Sequence, residues 1–331
     1  MQEPVLKVDG LSVAFRNSLA ILDDVSLEVH RGQTLGIVGE SGCGKSMTAL
    51  AIMRLMPSAA LTVSGGAIRL NGENLLDLDD EAMRAIRGSR AAMIFQDPMT
   101  SLNPLFTVGN QVGESIQKNR QIGRAEARRI TADLLKAVGL PDPERHLDYY
   151  PHQLSGGKRQ RVMIAMAIAG HPDVLIADEP TTALDVTVQA QIFQVLRDMQ
   201  AASGTAIVLI THDMGAISEM ADRVAVMYAG RVVEEGPADA ILAAPSHPYT
   251  RGLVSCIPRV SDAAFDGWPE LPVIPGTVPD LDQRGEGCHF APRCPLADDR
   301  CAKRRPPVLH DGERRCACWY GMAGGQPHGR I

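Results

Sequence analysis

One eight-residue stretch, GESGCGKS at positions 39–46, constrains the fold of this chain more than any other. It fits the phosphate-loop template G-x-x-x-x-G-K-S/T. The apolar run at 34–38 predicts a buried strand before it, and apolar residues at helical spacing from Met47 to Met56 predict a helix after it, ended by Pro57. The motif is therefore expected to join a strand to a helix in an α/β fold.

The residue types of this loop suit the phosphates of a nucleotide. Its glycines let the backbone approach a polyphosphate with several N–H groups pointing inward, and the N-terminus of the next helix favours negative charge. The ammonium of Lys45 can reach the β- and γ-phosphates, and the Ser46 hydroxyl can ligate Mg²⁺. A chance glycine turn is the alternative, but the flanking strand and helix argue against it. The predicted nucleotide contacts are Gly39, Ser41, Gly42, Gly44, Lys45 and Ser46.

Length and composition limit the class of protein. A chain of 331 residues with 45% hydrophobic content has room for one large α/β domain plus an appendage. We find no apolar stretch long enough to cross a membrane and no signal peptide, so we expect a cytoplasmic protein. The net charge of −6, from 33 basic and 39 acidic residues, disfavours a nucleic-acid partner.

Local patterns predict the order of the elements. The segments 5–15 and 20–29 are predicted strands, and the alternation in 25–29 is typical of a sheet with one wet face. Further strands are predicted at 67–72 and 91–95. Between Gln96 and Gln153 the pattern becomes helical, for example from Ala125 to Val138, which indicates a helical subdomain inserted between strands of the main sheet.

Three predicted strands end in polar residues that can meet a ligand. The run Val174–Ala177 leads into Asp178 and Glu179, and Ala206–Ile210 leads towards His212, just as Phe95 is followed by Gln96. Open α/β sheets bind ligands at this carboxyl edge. A carboxylate there can hold Mg²⁺, and a second one can polarise water. A lone histidine is usually structural, but this convergence makes His212 a predicted site residue.

A second glycine-rich helix start lies at 154–161, with the sequence LSGGKRQR. The N-terminus of the helix it opens is a second possible anion site. Taken alone, Ser-Gly-Gly is a common turn. Phe15, at the end of the first predicted strand, could stack on a base, although a core position is the simpler interpretation.

These motifs together resemble the ATP-binding cassette of ABC transporters over about residues 4–260. That family has, in chain order, the Walker A, Q-loop, signature, Walker B, D-loop and switch-histidine motifs. In the same order and spacing, this chain has similar residues at 39–46, Gln96, 154–160, 174–179, Ala183–Asp185 and His212. The resemblance implies a P-loop NTPase (RecA-like) cassette with an antiparallel β subdomain and an inserted α-helical subdomain at about 97–170. We predict a cassette at 4–255 and a small, irregular, cysteine-rich extension at 256–331.

The resemblance also implies roles for the site residues. Two cassettes would pair head to tail, so that Ser155, Gly156 and Gly157 contact the γ-phosphate held by the partner chain. Glu179 would be the base that polarises the attacking water, and His212 would contact the γ-phosphate. Ser46, Gln96 and Asp178 would hold Mg²⁺, and Gln96 would sense its state. The family also places an aromatic ring on adenine, a role that Phe15 could fill.

Beyond the cassette, the segments 247–253 and 288–295 resemble the ATPases of dipeptide and oligopeptide importers. That similarity implies a second ATPase subunit, two membrane permease subunits and an extracytoplasmic peptide-binding protein as partners, at the cytoplasmic face of the membrane. Importers of nickel or other small solutes share much of this cassette and are the main alternative. DNA-repair and ribosome-associated cassettes are a second one, disfavoured because the chain has one phosphate loop, one signature and no sustained heptads. Cys43 stands where serine or alanine is also common, and we interpret it as a small tolerated side chain rather than a redox switch.

Five of the seven cysteines lie in the last 44 residues. In a cytoplasmic protein such clustering favours a metal over disulfides. The spacing is too wide for paired C-x2-C zinc knuckles and leaves zinc and an iron–sulfur cluster equally open. The family resemblance implies a 4Fe–4S cluster on Cys288, Cys294, Cys301 and Cys318, with Cys316 as the other candidate for the fourth ligand. The proline-rich segment from Ile257 to Gln283 is predicted to be a linker or an irregular wrap.

Overall fold

The computed structural model describes residues 3–16, 19–97, 101–120, 122–181, 184–257, 272–323 and 326–327. Two sheets and a set of helices account for most of these residues. The strands are β1 (Leu6–Phe15), β2 (Leu19–Val29), β3 (Thr34–Val38), β4 (Leu61–Leu70), β5 (Glu73–Asn74), β6 (Ala91–Ile94), β7 (Val174–Asp178), β8 (Ala206–Ile210), β9 (Arg223–Tyr228), β10 (Arg231–Pro237), β11 (Val308–Asp311), β12 (Arg314–Ala317), β13 (Met322–Ala323) and β14 (Gln326–Pro327). The α-helices are α1 (Lys45–Ile52), α2 (Asp80–Ile86), α3 (Val108–Arg120), α4 (Arg124–Ala137), α5 (Pro143–His146), α6 (Gly156–Ile168), α7 (Val186–Ser203), α8 (Met214–Met220), α9 (Ala238–Ala243), α10 (Pro248–Ser255) and α11 (Asp299–Lys303).

The first sheet is antiparallel and has the order β2-β1-β4-β5. Along β2, Val25, Leu27 and Val29 are buried while Glu28 is exposed, which confirms the predicted wet face. The buried side chains of this sheet share a hydrophobic core with β3 and α1. The sheet therefore packs directly against the elements that carry the phosphate loop.

The second sheet has eight strands in the order β11-β12-β10-β9-β3-β8-β7-β6. Its five strands β9, β3, β8, β7 and β6 are parallel. The middle strands β3, β7 and β8 are buried at every residue, as expected for a parallel sheet covered on both faces. The carboxyl ends of β3, β6, β7 and β8 meet at one edge, which brings the predicted site residues together.

Helices α3, α4, α5 and α6 fill the chain between β6 and β7. Their apolar faces share one core cluster with β6 and β7. The mixed α/β architecture, with an antiparallel sheet, a largely parallel sheet and inserted helices, confirms the predicted fold class. The bounds of the helical subdomain and of the two domains stay predictions.

The helix after the phosphate loop differs from its predicted bounds of 47–56. It begins two residues earlier, at Lys45, because Gly44 adopts a left-handed conformation and serves as its N-cap. It ends four residues earlier, at Ile52, since Arg54 has a φ of 50° and leaves the helical path well before Pro57. The Arg54 guanidinium bonds the carbonyl oxygens of Leu75 and Leu78 instead.

The extension joins the main sheet through a hairpin. Strand β12 pairs antiparallel with β10, with Glu234 opposite Cys316, and β11 pairs with β12 on its other side. Two buried carboxylates on β10 hold this hairpin: Glu234 bonds Arg314, and Glu235 bonds Arg315. Both glutamates are almost completely buried, with exposures of 1% and 2%. The extension is thus built onto the cassette rather than attached by a free tether.

The structure describes two of the predicted segments only in part. Residues 258–271 of the proline-rich segment lie outside the described residues, and the described part, 272–283, holds a single 3-10 turn at Leu281–Gln283. Ala183 of the predicted D-loop also lies outside them. Among the helices that the structure describes, none has the length and apolar content needed to cross a bilayer.

Candidate functional site

The phosphate loop between β3 and α1 is packed so closely that two of its glycines have no room for a side chain. A Cβ on Gly39 would lie 2.2 Å from the carbonyl oxygen of Met227, and one on Gly44 would lie 2.7 Å from Leu22 Cδ2. Gly44 also has a φ of 107°, which L side chains rarely adopt. Glycine is therefore required at both positions.

Lys45 is held at the loop by the loop's own backbone. Its Nζ donates to the carbonyl oxygens of Gly39, at 2.7 Å, and of Glu40, at 3.1 Å, and only 7% of the residue is exposed. Cys43 is fully buried beside it, and burial raises the pKa of the Cys43 thiol. A buried neutral thiol agrees with the interpretation of Cys43 as a small packing residue.

Of the three residues predicted for Mg²⁺, Ser46 and Asp178 contact each other, whereas Gln96 bonds Glu179 instead. The Ser46 hydroxyl bonds the Asp178 carboxylate, whose pKa is raised mainly by burial and also by the charge of Glu179. The Oδ1 atom of Asp178 is buried and has no hydrogen-bond partner in the described part of the chain. A buried carboxylate oxygen beside a hydroxyl, next to a phosphate loop, is a suitable donor set for Mg²⁺.

Gln96, Glu179 and His212 meet at the same edge of the sheet. Gln96 Nε2 donates to Glu179 Oε2 at 3.0 Å, and His212 Nδ1 lies 3.0 Å from Glu179 Oε1. Glu179 has a φ of 49°, a left-handed conformation that is unusual outside glycine and clusters at functional sites. The structure thus brings together all three residues of the predicted catalytic set.

An open cleft adjoins this edge. Its volume is about 610 Å³, and its lining includes Gly39 and Glu40 of the phosphate loop together with His212. Ser155 and Gly156 are exposed at the start of α6, and a Cβ on Gly156 would meet no atom within 4 Å. The signature segment is therefore open to a group from outside the chain.

Phe15 is half-buried at the end of β1, so it is not part of the fully buried core. The Arg16 guanidinium lies 5.3 Å from the centre of its ring. The simpler interpretation, a core position, does not hold for this ring. Its contact with adenine stays a prediction.

The four predicted cluster cysteines influence one another electrostatically. Burial raises the pKa of Cys318 to about 12, and the neighbouring thiolates of Cys288, Cys294 and Cys301 add to that shift. Burial also raises the pKa of each of those three thiols. For Cys316, by contrast, the main causes of the raised pKa are burial and the carboxylate of Glu234. All seven cysteines are free thiols in this structure.

Backbone N–H groups also point at these sulfurs. The Tyr320 N–H donates to Cys318 Sγ at 3.4 Å, and backbone N–H groups offset part of the rise that burial causes in the pKa of Cys288, Cys294 and Cys301. Such N–H···S bonds favour thiolates that ligate a metal. However, no group of three or more His, Cys, Asp or Glu side chains in the described residues is arranged closely enough to hold a single metal ion.

Two contacts of the phosphate loop were not predicted from the sequence. The Tyr249 hydroxyl accepts a hydrogen bond from the Glu40 N–H, at 2.8 Å, and the Arg293 guanidinium binds the Glu40 carboxylate. Both residues lie in segments noted above for their resemblance to peptide importers, 247–253 and 288–295. The signal was therefore present as a motif, but only the fold shows what these side chains touch.

Comparison with known proteins agrees with this geometry. The profile of the ABC transporter family matches residues 22–182, and the profile of the oligopeptide/dipeptide transporter C-terminal region matches residues 233–301. A Sinorhizobium fredii relative named as a peptide ABC transporter ATP-binding protein is 50% identical over 300 residues, which cover 90% of this chain and 88% of the relative. A Brucella abortus relative named as a peptide import ATP-binding protein is 48% identical over 318 residues, covering 95% and 94%.

Solved structures of similar fold are cassettes as well. A dimeric ATP-binding cassette in a post-hydrolysis state, bound to ADP and phosphate, is 29% identical and has a TM-score of 0.64, over 70% of this chain and 98% of that one. A Clostridium perfringens subunit of the cbiONQ ABC transporter complex is 28% identical with a TM-score of 0.62, over 73% and 92%. The protein is thus an ATPase of the ATP-binding cassette class. Within that class, the chain belongs to the ABC transporter ATP-binding subunits of the dipeptide/oligopeptide importer family.

Proposed function

We propose that this chain is one half of a paired ATPase that energises the import of dipeptides or oligopeptides through a separate membrane permease. The observation that carries the ATPase part is the meeting of Gln96, Glu179 and His212 beside the phosphate loop and the Ser46–Asp178 pair. The match of residues 233–301 to the oligopeptide/dipeptide C-terminal region supports the peptide substrate.

In this mechanism the phosphate loop and Lys45 hold the ATP phosphates. Ser46 and Asp178 would hold Mg²⁺, whose charge would neutralise the β- and γ-phosphates. Glu179 accepts a proton from the attacking water. Gln96 and His212 both bond the Glu179 carboxylate and orient that carboxylate. The contacts among Gln96, Glu179 and His212 and between Ser46 and Asp178 support this mechanism.

A second cassette completes the site in this proposal. Ser155, Gly156 and the start of α6 are open to solvent, and their backbone N–H groups at a helix N-terminus suit a phosphate from a partner. The partner is either a second copy of this chain or a related ATPase subunit. We further propose two permease subunits and an extracytoplasmic peptide-binding protein as partners, with the chain peripheral to the cytoplasmic face of the membrane.

The substrate is tested by the ATPase rate of the assembled transporter. We expect a panel of di- to hexapeptides, presented with the binding protein, to stimulate ATP hydrolysis by this chain co-purified with its permease. Stimulation by a nickel chelate or a sugar, with none by any peptide, would contradict the proposed substrate. A Lys45→Ala variant is the control, because its nucleotide site is disabled and its rate should not respond to either solute.

We also propose that Cys288, Cys294, Cys301 and Cys318 hold a 4Fe–4S cluster. Four neighbouring cysteines whose sulfurs accept backbone N–H groups suit the ligation of an iron–sulfur core, and a cluster spreads its ligands more widely than a single ion does. The cluster would supply a cross-link between three separate parts of the extension. Cys316 faces Glu234 across the β10–β12 pair, and that carboxylate disfavours a thiolate there.

The choice of the fourth ligand gives a paired prediction. We expect Cys318→Ser to lose most of the bound iron and the visible absorbance of anaerobically purified protein, while Cys316→Ser keeps both. Iron analysis and the absorption spectrum of the two variants, purified side by side, provide the measurement. Protein that carries zinc instead of iron would refute the cluster, and the reverse order of the two variants would refute the assignment of Cys318.

A further inference from the structure

The cysteine-rich extension contacts the phosphate loop through an ion pair. Arg293 lies between Cys288 and Cys294, and its two terminal nitrogens bind the two carboxylate oxygens of Glu40 at 2.6 and 3.0 Å. The Arg293 side chain is only 6% exposed and that of Glu40 is 27% exposed. A bidentate pair shielded from water in this way is among the stronger polar contacts a protein makes.

Arg293 is itself fixed on every side. Its Nε donates to the carbonyl oxygen of Pro275 at 2.7 Å, and a terminal nitrogen donates to that of Ile274 at 3.2 Å. The other terminal nitrogen donates to the Tyr228 hydroxyl at 3.2 Å, and the guanidinium also lies 5.9 Å from the centre of the Phe290 ring. The Glu40 carboxylate raises the pKa of Arg293 above its ordinary value, so the charge is permanent. The extension therefore holds the Glu40 carboxylate in a defined position.

Every polar group of Glu40 has a hydrogen-bond partner. The buried Tyr249 hydroxyl accepts the Glu40 N–H at 2.8 Å, and Lys45 Nζ donates to the Glu40 carbonyl oxygen at 3.1 Å. The Tyr249 ring packs against Tyr228 and Phe290, at 4.6 and 5.3 Å between ring centres. One residue thus connects the lysine that reaches the ATP phosphates to an aromatic cluster and to the cysteine-bearing turn.

We propose that Arg293 is a positioning residue for ATP binding. Through Glu40, Arg293 couples the cysteine turn at 288–294 to the phosphate loop. The proposal rests on the assignment of 39–46 as the ATP site. When the turn is intact, Arg293 and Tyr249 fix Glu40 and keep the loop in the shape that receives phosphates. Because coupling between two sites is reciprocal, bound ATP also restrains the cysteine turn.

ATP affinity tests the first half of the proposal. We expect Arg293→Ala to raise the dissociation constant of a fluorescent ATP analogue about fivefold or more. The matched control is Arg305→Ala, which removes an arginine of the extension that binds Asp23 and Asp24, away from the phosphate loop, and should leave the constant unchanged. Wild-type protein that does not bind the analogue would refute the ATP site itself, whereas equal affinity of wild type and Arg293→Ala would refute only the positioning role.

A double-mutant cycle separates positioning from a general loss of structure. Glu40→Gln keeps the backbone bonds to Tyr249 and Lys45 but removes the charge that Arg293 binds. If the two residues act as a pair, Arg293→Ala should weaken ATP binding much less in the Glu40→Gln background than in the wild type. Fully additive effects would contradict the pairing, and this comparison remains available if Arg293→Ala alone lowers stability.

The reciprocal effect is measured at the cysteine turn. We expect ATP to slow the backbone hydrogen exchange of residues 288–294 in the full-length holoprotein, read by mass spectrometry of the peptides that cover this turn. Arg293→Ala should abolish this protection, while Arg305→Ala should keep it. Protection of equal size in wild type and Arg293→Ala, or none in wild type at saturating ATP, would overturn the coupling.

Discussion

Glu179→Gln should lower the kcat for ATP hydrolysis by about 10² to 10⁴ while ATP binding is retained. The factor is that of a positioned general base, which the amide cannot replace. The substitution keeps the shape of the side chain, and the amide can still bond Gln96 and His212, which lie 3.0 Å from the two carboxylate oxygens. We therefore expect the variant to accumulate in the ATP-bound, paired state.

Two measurements distinguish this result from a damaged site. Equilibrium binding of ATP and the oligomeric state in ATP should show tight binding and a stable pair for Glu179→Gln. Lys45→Ala, which removes the ammonium from the phosphate loop, should weaken ATP binding itself. A turnover rate of Glu179→Gln close to that of the wild type would rule out Glu179 as the base.

Glu234→Ala should reduce the free energy of unfolding by about 3–5 kcal/mol, the usual cost of breaking a buried ion pair from one side. The Glu234 carboxylate accepts the N–H groups of Ser246 and His247, both at 2.8 Å, and binds Arg314 at 3.0 Å. Alanine leaves two buried N–H groups and one arginine without this acceptor. The start of α10 and the hairpin of the extension should loosen together.

Urea unfolding of the purified chain measures this change. The matched control is Glu313→Ala, because the Glu313 side chain is 79% exposed and pairs with Arg223 at 3.7 Å. Its expected effect is within about 0.5 kcal/mol. A Glu234→Ala variant as stable as the Glu313→Ala variant would show that the buried carboxylate is not needed to hold the extension.

Much of the ATP site could be predicted because its residues follow local rules. The glycine spacing of 39–46 and the polar residues after apolar strands are both visible in short windows of sequence. The parallel sheet then aligns the ends of those strands, so Gln96, Glu179 and His212 meet without any further information. The bounds of α1 were wrong because a left-handed residue, Arg54, ends the helix where no glycine or proline marks it.

The extension was harder to predict because its contacts are distant in sequence. Glu234 and Glu235 lie in β10, and Arg314 and Arg315 follow about 80 residues later. The two pairs are complementary only after β10 and β12 pair. Arg293 and Glu40 are separated by 253 positions. No local pattern links such residues, although charged side chains in buried strands do indicate that partners must exist.

The hairpin on β10 also has a consequence for the solubility of shortened chains. Without β11 and β12, the β10 backbone would present a free edge with unpaired N–H and C=O groups, which is a template for pairing with other chains. The same cut would expose two carboxylates that the native sheet keeps out of water. A cassette truncated before residue 308 is therefore expected to aggregate, so the ATPase unit that folds on its own is longer than the cassette motifs indicate.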